Sequence, residues 1–110
     1  MELRKIINST NASSPFKGQL AYSYAAKQIS KSKPAVISFS EITECTSAFC
    51  NSFVGKLYMN FDNIILSDFL QITDVNNDIW AIKINDAITL GSNEKIRNIR
   101  KQSLENLQLC

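Results

Sequence analysis

From residue 14 onward the apolar positions recur at intervals of four. Phe16, Leu20 and Tyr24 form one line, and Ala21, Ala25 and Ile29 form the next. That interval predicts a helix, because residues four apart stack on one face of a 3.6-residue turn. Ser14 offers a capping hydroxyl, and Pro15 fits the first turn, where its missing N–H costs nothing. Lys17, Lys27 and Lys31 fall towards solvent, and Pro34 ends the run. Ahead of this helix, Leu3 to Ile7 is short and stops at the turn-forming Asn8-Ser9-Thr10-Asn11, which reads as an edge strand. After it, Ala35-Val36-Ile37-Ser38-Phe39 is a compact apolar strand suited to the centre of a sheet.

A polar loop, Ser40 to Cys45, leads into a second helix whose apolar residues are Phe49, Phe53 and Leu57, flanked by Cys50 and Val54. Thr46 is its natural N-cap, placing Ser47 at the first helical position. Gly55 inside this helix costs up to about 1 kcal/mol relative to Ala. A close approach of helix to sheet accounts for its presence. Asn63-Ile64-Ile65-Leu66 reads as a third strand, whereas Ser67 to Val75 is open between a turn of helix and a loop. Asp78 then caps a third helix with Trp80, Ile84, Ala87 and Ile88 on one face, and Gly91 occupies a C-cap position. A strand over Ile79 to Ile84 competes with that helix.

Asn93 opens a last amphipathic segment carrying Ile96, Ile99, Leu104 and Leu107. The division expected is a domain over 1–91 and a C-terminal helix over 92–110, packed on it or projecting. The element order β-α-β-α-β-α implies right-handed crossovers and an α/β fold, a small, mostly parallel sheet of about four strands covered by helices. The aromatic residues Phe39, Phe49, Phe53, Phe61 and Trp80 read as its core.

Composition narrows the chemistry. The 110 residues include no histidine, which removes the Ser-His-Asp triad, the Cys-His dyad and imidazole zinc sites. No catalytic constellation replaces them, so the expectation is a protein that is not an enzyme. Gly18, Gly55 and Gly91 are isolated, so there is no glycine-rich phosphate loop. Asp62, Asp68, Asp74 and Asp78 lack the order of a calcium loop. Cys45 and Cys50 lack the second pair of a zinc site, and with Cys110 they make an odd set unlike a disulfide framework. No metal and no cofactor is expected.

The net charge of +2 is unevenly spread: residues 1–33 sum to +5, 34–90 to −5 and the last twenty to +2. A nucleic-acid binder gathers basic residues with aromatics on one face, and here the aromatic-rich middle is acidic. No nucleic-acid partner is expected. Lys95, Arg97, Arg100 and Lys101 read as a solvated helix face, with contact to an acidic partner as the alternative. Met1 to Ile7 is followed at once by polar residues, unlike a signal peptide, and no apolar run approaches the roughly 18 residues of a membrane span. The protein is therefore expected in the cytoplasm and away from membranes.

Residues 35–58, AVISFSEITECTSAFCNSFVGKLY, resemble the STAS domains of bacterial anti-anti-sigma factors, most closely the divergent STAS-like branch of uncharacterised function. The likeness rests on the strand Val36-Ile37-Ser38-Phe39, the loop Glu41-Ile42-Thr43-Glu44 and the helix start Thr46-Ser47-Ala48-Phe49. Ser47, Phe49 and Gly55 match the Ser, Phe and small residue of that branch. The resemblance implies a STAS-like fold and a regulatory module that docks a GHKL-type ATPase, an anti-sigma kinase, through the start of its second helix.

By position, that resemblance makes Ser47 the candidate phosphoacceptor and Glu44, Thr46, Ser47, Ala48 and Asn51 the partner-binding residues. A phosphate there adds nearly two negative charges and ejects a partner fitted to the bare hydroxyl. The stricter family pattern has Asp before the acceptor and Ser-Gly-Leu-Gly after it. Here Thr46 and Ala48-Phe49-Cys50-Asn51 stand instead, and helix capping alone also accounts for Thr46 and Ser47. Two other functions compete: a thiol-based redox sensor using Cys45, whose place at a helix start favours thiolate, and a structural subunit of a homo-oligomer such as a homodimer.

Overall fold

The computed structural model describes the backbone over residues 1–108 and side chains over 1–97. Ile99, Arg100, Lys101, Leu104, Leu107 and Cys110, named above, lie outside the residues whose side chains are described. The chain opens with a helical turn, α1 (Leu3–Ile6), then β1 (Asn11–Ala12) and α2 (Pro15–Ser30). Next come β2 (Ala35–Ser38) and β3 (Glu44–Cys45). A continuous helical rod follows, composed of α3 (Ser47–Cys50), a π-helical segment (Asn51–Gly55) and α4 (Lys56–Asn60). Then come α5 (Asn63–Phe69), β4 (Leu70–Thr73) and the long α6 (Asp78–Gln108).

The α/β class and the parallel pairing are as expected. The four strands divide into two parallel pairs, β1 with β3 and β2 with β4. Ala35 lies opposite Leu70 and Ser38 opposite Thr73. The other edge of β2 is met by the first two residues: the Met1 amine donates to the Val36 carbonyl, Ser38 N–H donates to the Met1 carbonyl, and Glu2 bridges Ser38. β2 is thus the middle of its sheet, as its apolar run indicated.

Several sequence expectations are corrected. Leu3 to Ile7 is a turn of helix rather than an edge strand. Leu3 and Ile7 are both buried, and a four-residue interval puts them on one side. Asn63 to Leu66 is the first part of α5, not a strand. Only Leu66 of that group is buried, so β-branched content misled where packing is one-sided. The partner strand of β2 lies instead in the stretch left between helix and loop, at Leu70–Thr73. In α2 the line of Ala21, Ala25 and Ile29 is buried, joined by Gly18, whereas Phe16 is 71% exposed. Lys17 is not a free solvent cation, because its ammonium bonds the Ser9 hydroxyl and the Asn11 carbonyl.

At the start of α6 the cap is Asn77, whose Oδ1 accepts from Ile79 and Trp80 N–H. α6 is helical over Ile79 to Ile84 and passes through Gly91 without ending there. Gly91 serves close packing rather than capping. A Cβ on it would overlap the Gly55 carbonyl oxygen and stand 3.1 Å from the Gly55 Cα. Gly55 in turn faces Ala87 and Gly91 of α6, not the sheet. On the opposite flank of the rod, a Cβ on Gly18 of α2 would lie 2.6 Å from the Phe49 carbonyl oxygen. All three glycines of the chain therefore let α2 and α6 approach the backbone of one central rod, and none has positive φ.

The core is built around that rod. Phe49, Phe53 and Leu57 are fully buried, Cys50 and Val54 beside them, with the two phenyl rings 5.8 Å apart and tilted. Ile37 and Phe39 of the β2 region, Leu3, Leu66, Ile84 and Ala87 complete it, while Phe61 and Trp80 are half-buried. Lys95 ties α6 back to the α4–α5 turn, its ammonium donating to the Phe61 carbonyl at 2.7 Å.

Candidate functional site

The start of the rod is the junction of three elements. Thr46 Oγ1 accepts from Phe49 N–H at 3.3 Å, the N-cap bond expected from sequence, and donates to the Ser13 carbonyl at 3.0 Å. Thr46 N–H donates to the Ala12 carbonyl, continuing the β1–β3 pairing. Ser14 caps α2 beside it by accepting from Lys17 N–H. Two helix N-termini and the end of a two-stranded sheet are therefore pinned together by Thr46.

Because Thr46 performs the capping, the Ser47 hydroxyl is left exposed on the first turn. Glu44, Ala48 and Asn51 are exposed around it, and Thr46 is half-buried. The five residues assigned to partner binding thus form one contiguous surface. Unpaired N–H groups of a first helical turn and the helix dipole favour added negative charge at such a position.

Cys45, by contrast, is 1% exposed and points inward to Cys50, with the two Sγ atoms 3.4 Å apart. Lys83 of α6 donates to the Cys45 carbonyl at 3.0 Å. The Cys50 thiol hydrogen bond holds Cys45 below the usual thiol range, aided by the Lys83 charge and opposed by burial. Cys50, hydrogen-bonded to Cys45 and itself buried, is pushed up. The pairing of the two thiols was not read from the sequence. Their spacing of five carries it once Thr46 is placed as the cap between strand and helix.

Two cavities were also not legible in sequence. A groove of about 450 Å³ begins at Asn51, beside Ser47, and runs between Gln19 of α2, Ser52, Lys56 and Met59 of the rod, and Leu90 and Glu94 of α6. Its floor includes Gly55 and Gly91, so the bare helix crossing creates it. A smaller polar cleft of about 260 Å³ lies at the carboxyl ends of β2 and β4, between Glu41, Asp74, Asn77 and Trp80. Glu41 and Asp74 there both adopt positive φ. Arg4 pairs with Glu41 at 3.1 Å, and the Ser38 hydroxyl bonds Asp74.

Residues 18–80, which hold Gly18 and most of α2, the β2 strand, Thr46 and the whole rod, match the family described as a STAS-like domain of unknown function. The chain belongs to the STAS-like domain family. No curated protein and no solved structure matches it. The matched segment covers both parallel strands β2 and β4 and stops at Trp80, so most of α6 lies beyond the part that defines the STAS-like domain. Among the described residues of this STAS-like domain, no cluster of Cys, Asp and Glu would hold a metal ion, and no helix is long and apolar enough to cross a membrane.

Proposed function

We propose that this STAS-like domain is a non-catalytic regulatory module that binds a protein partner, a GHKL-type ATPase, through the N-terminal turn of the rod. The observation that carries this reading is the exposed Ser47 hydroxyl, set on a turn that Thr46 caps and surrounded by exposed Glu44, Ala48 and Asn51. The side chain is presented on rigid structure, since the backbone beneath it is fixed to Ala12 and Ser13. The groove that starts at Asn51 extends the same face towards Leu90, giving a partner an apolar anchor next to a polar rim. Phosphorylation of Ser47 is the switch: a dianion on the first turn is stabilised by the free N–H groups and excludes the partner by bulk and charge.

Co-expression with the GHKL-type ATPase encoded nearest its gene, followed by purification on a tag carried by the ATPase, tests the docking. A stable complex that Ser47→Glu weakens is expected. Absence of association both with and without nucleotide refutes the docking. Phosphorylation is read separately, by intact mass after incubation with that ATPase and ATP. One added phosphate that Ser47→Ala abolishes is expected, and an unchanged mass removes the switch while leaving the docking intact.

A further inference from the structure

We infer that Cys45 and Cys50 form an oxidisable dithiol, a modification site at which hydroperoxides convert two buried thiols into an intramolecular disulfide. The inference stands apart from the partner-docking reading, since it rests on the inward side of the Thr46 junction rather than on its exposed face.

The two Sγ atoms are already in contact at 3.4 Å, one on the last residue of β3 and the other on the last residue of α3. Closing to the roughly 2.05 Å of a disulfide requires a movement of about 1.4 Å shared between the two side chains. Rotation of the two side chains supplies it, because the backbone of β3 is held by its pairings of Asn11 with Glu44 and Ala12 with Cys45 and by the bonds of Thr43 and Thr46 N–H to the Thr10 and Ala12 carbonyls.

The chemistry has a defined direction. The two thiols share one hydrogen bond, and the Lys83 ammonium, bonded to the Cys45 carbonyl at 3.0 Å, adds positive charge beside Cys45. Cys45 is therefore the sulfur that attacks. As a thiolate it attacks one oxygen of a hydroperoxide, breaking the O–O bond and becoming a sulfenic acid, while the departing oxygen takes a proton. Cys50 then attacks the Cys45 sulfur. The S–O bond breaks, and the leaving hydroxide takes the Cys50 proton as water. Two thiols and one hydrogen peroxide give one disulfide and two waters, with the two electrons lost by sulfur gained by the peroxide oxygens. Burial of both sulfurs keeps bulky thiols out and leaves a small peroxide as the fitting oxidant, admitted when the β1–β3 pairing opens.

The test uses the full chain carrying Cys110→Ser, which leaves the pair as its only thiols. After treatment with hydrogen peroxide, free thiols are blocked by iodoacetamide in denaturant and the protein is digested with trypsin. Cys45 and Cys50 fall in one peptide, residues 32–56, because Lys33 precedes Pro34. The expected result is that peptide unalkylated and lighter by two hydrogens, from a monomeric protein, with both alkylation sites restored by dithiothreitol. In Cys50→Ser the expected product is a Cys45 sulfenic acid that dimedone traps. Two outcomes overturn the inference. One is full double alkylation after an exposure that oxidises the urea-unfolded chain. The other is disulfide-linked dimers in place of the internal bond.

Discussion

Gly91→Ala separates two readings of the same residue by the sign of its effect. A glycine in an exposed helix interior costs about 1 kcal/mol relative to Ala, so if Gly91 only interrupted α6 the substitution would stabilise the protein by that amount. In the fold, the added Cβ would overlap the Gly55 carbonyl oxygen and lie 2.9 Å from the Gly55 carbonyl carbon. These are backbone atoms of the rod, with no rotamer to escape into, so α6 must move away. Such overpacking costs about 3 kcal/mol at the upper end of its usual range. Setting the gain in helix propensity against it leaves a loss of about 2 kcal/mol.

For a domain of this size that corresponds to a fall in Tm of roughly 8–16 °C. Urea denaturation followed by the helical circular dichroism band and by the fluorescence of Trp80, the single tryptophan, gives the difference directly. An unchanged or raised midpoint would refute the close crossing. Gly55→Ala is the internal comparison. Its Cβ would meet the Ala87 carbonyl oxygen at 3.1 Å, a tight contact that a small shift relieves, so its effect is expected to be much nearer zero.

Two further outcomes follow from the local geometry. Thr46→Ala removes the cap to Phe49 and the bond to the Ser13 carbonyl together, and is expected to cost about 2 kcal/mol in the same urea experiment, with Thr46→Ser retaining most of it. Glu2 is held below its ordinary value of 4.5 chiefly by the Lys5 ammonium, against the opposing effect of desolvation and with help from Arg4. A depressed carboxylate contributes stability that is present above its unfolded pKa and lost as the pH falls through its folded value. An NMR titration of the Glu2 carboxyl carbon should therefore show a midpoint below 4.5, and a midpoint at or above it would contradict the ion pairs.

The candidate surface was legible because its determinants are local. Thr46 is a capping residue followed by apolar positions at a strict interval, so a short stretch of sequence fixes where the helix starts and hence which neighbours face outward. Ser14 and Pro15 mark α2 in the same way. Leu3 to Ile7 and Asn63 to Leu66 failed for a common reason. Each is short and β-branched, and only the tertiary contacts of Leu3, Ile7 and Leu66 decide between helix and strand. Gly91 failed because a capping glycine and a crossing glycine look alike until the opposing backbone, at Gly55, is known. The groove depends on contacts between α6 and the rod that nothing in the spacing of either segment announces, and the dithiol becomes readable only once Thr46 is placed as the cap between Cys45 and Cys50.

The π-helical segment at Asn51–Gly55 affects how members of the family are to be compared. A π turn holds one residue more than an α turn. In a straight α-helix the four-residue interval of Phe49, Phe53 and Leu57 would drift by about 40° at each step. The wider turn offsets that drift and keeps all three side chains in the core. A relative without the extra residue would place its later turns in register only with a gap inside 51–55, about 100° of rotation being absorbed there. Aligned without that gap, the counterparts of Ser47 and Leu57 cannot both fall in the right column. The insertion point, rather than overall similarity, then governs whether the docking turn of one member is matched to that of another.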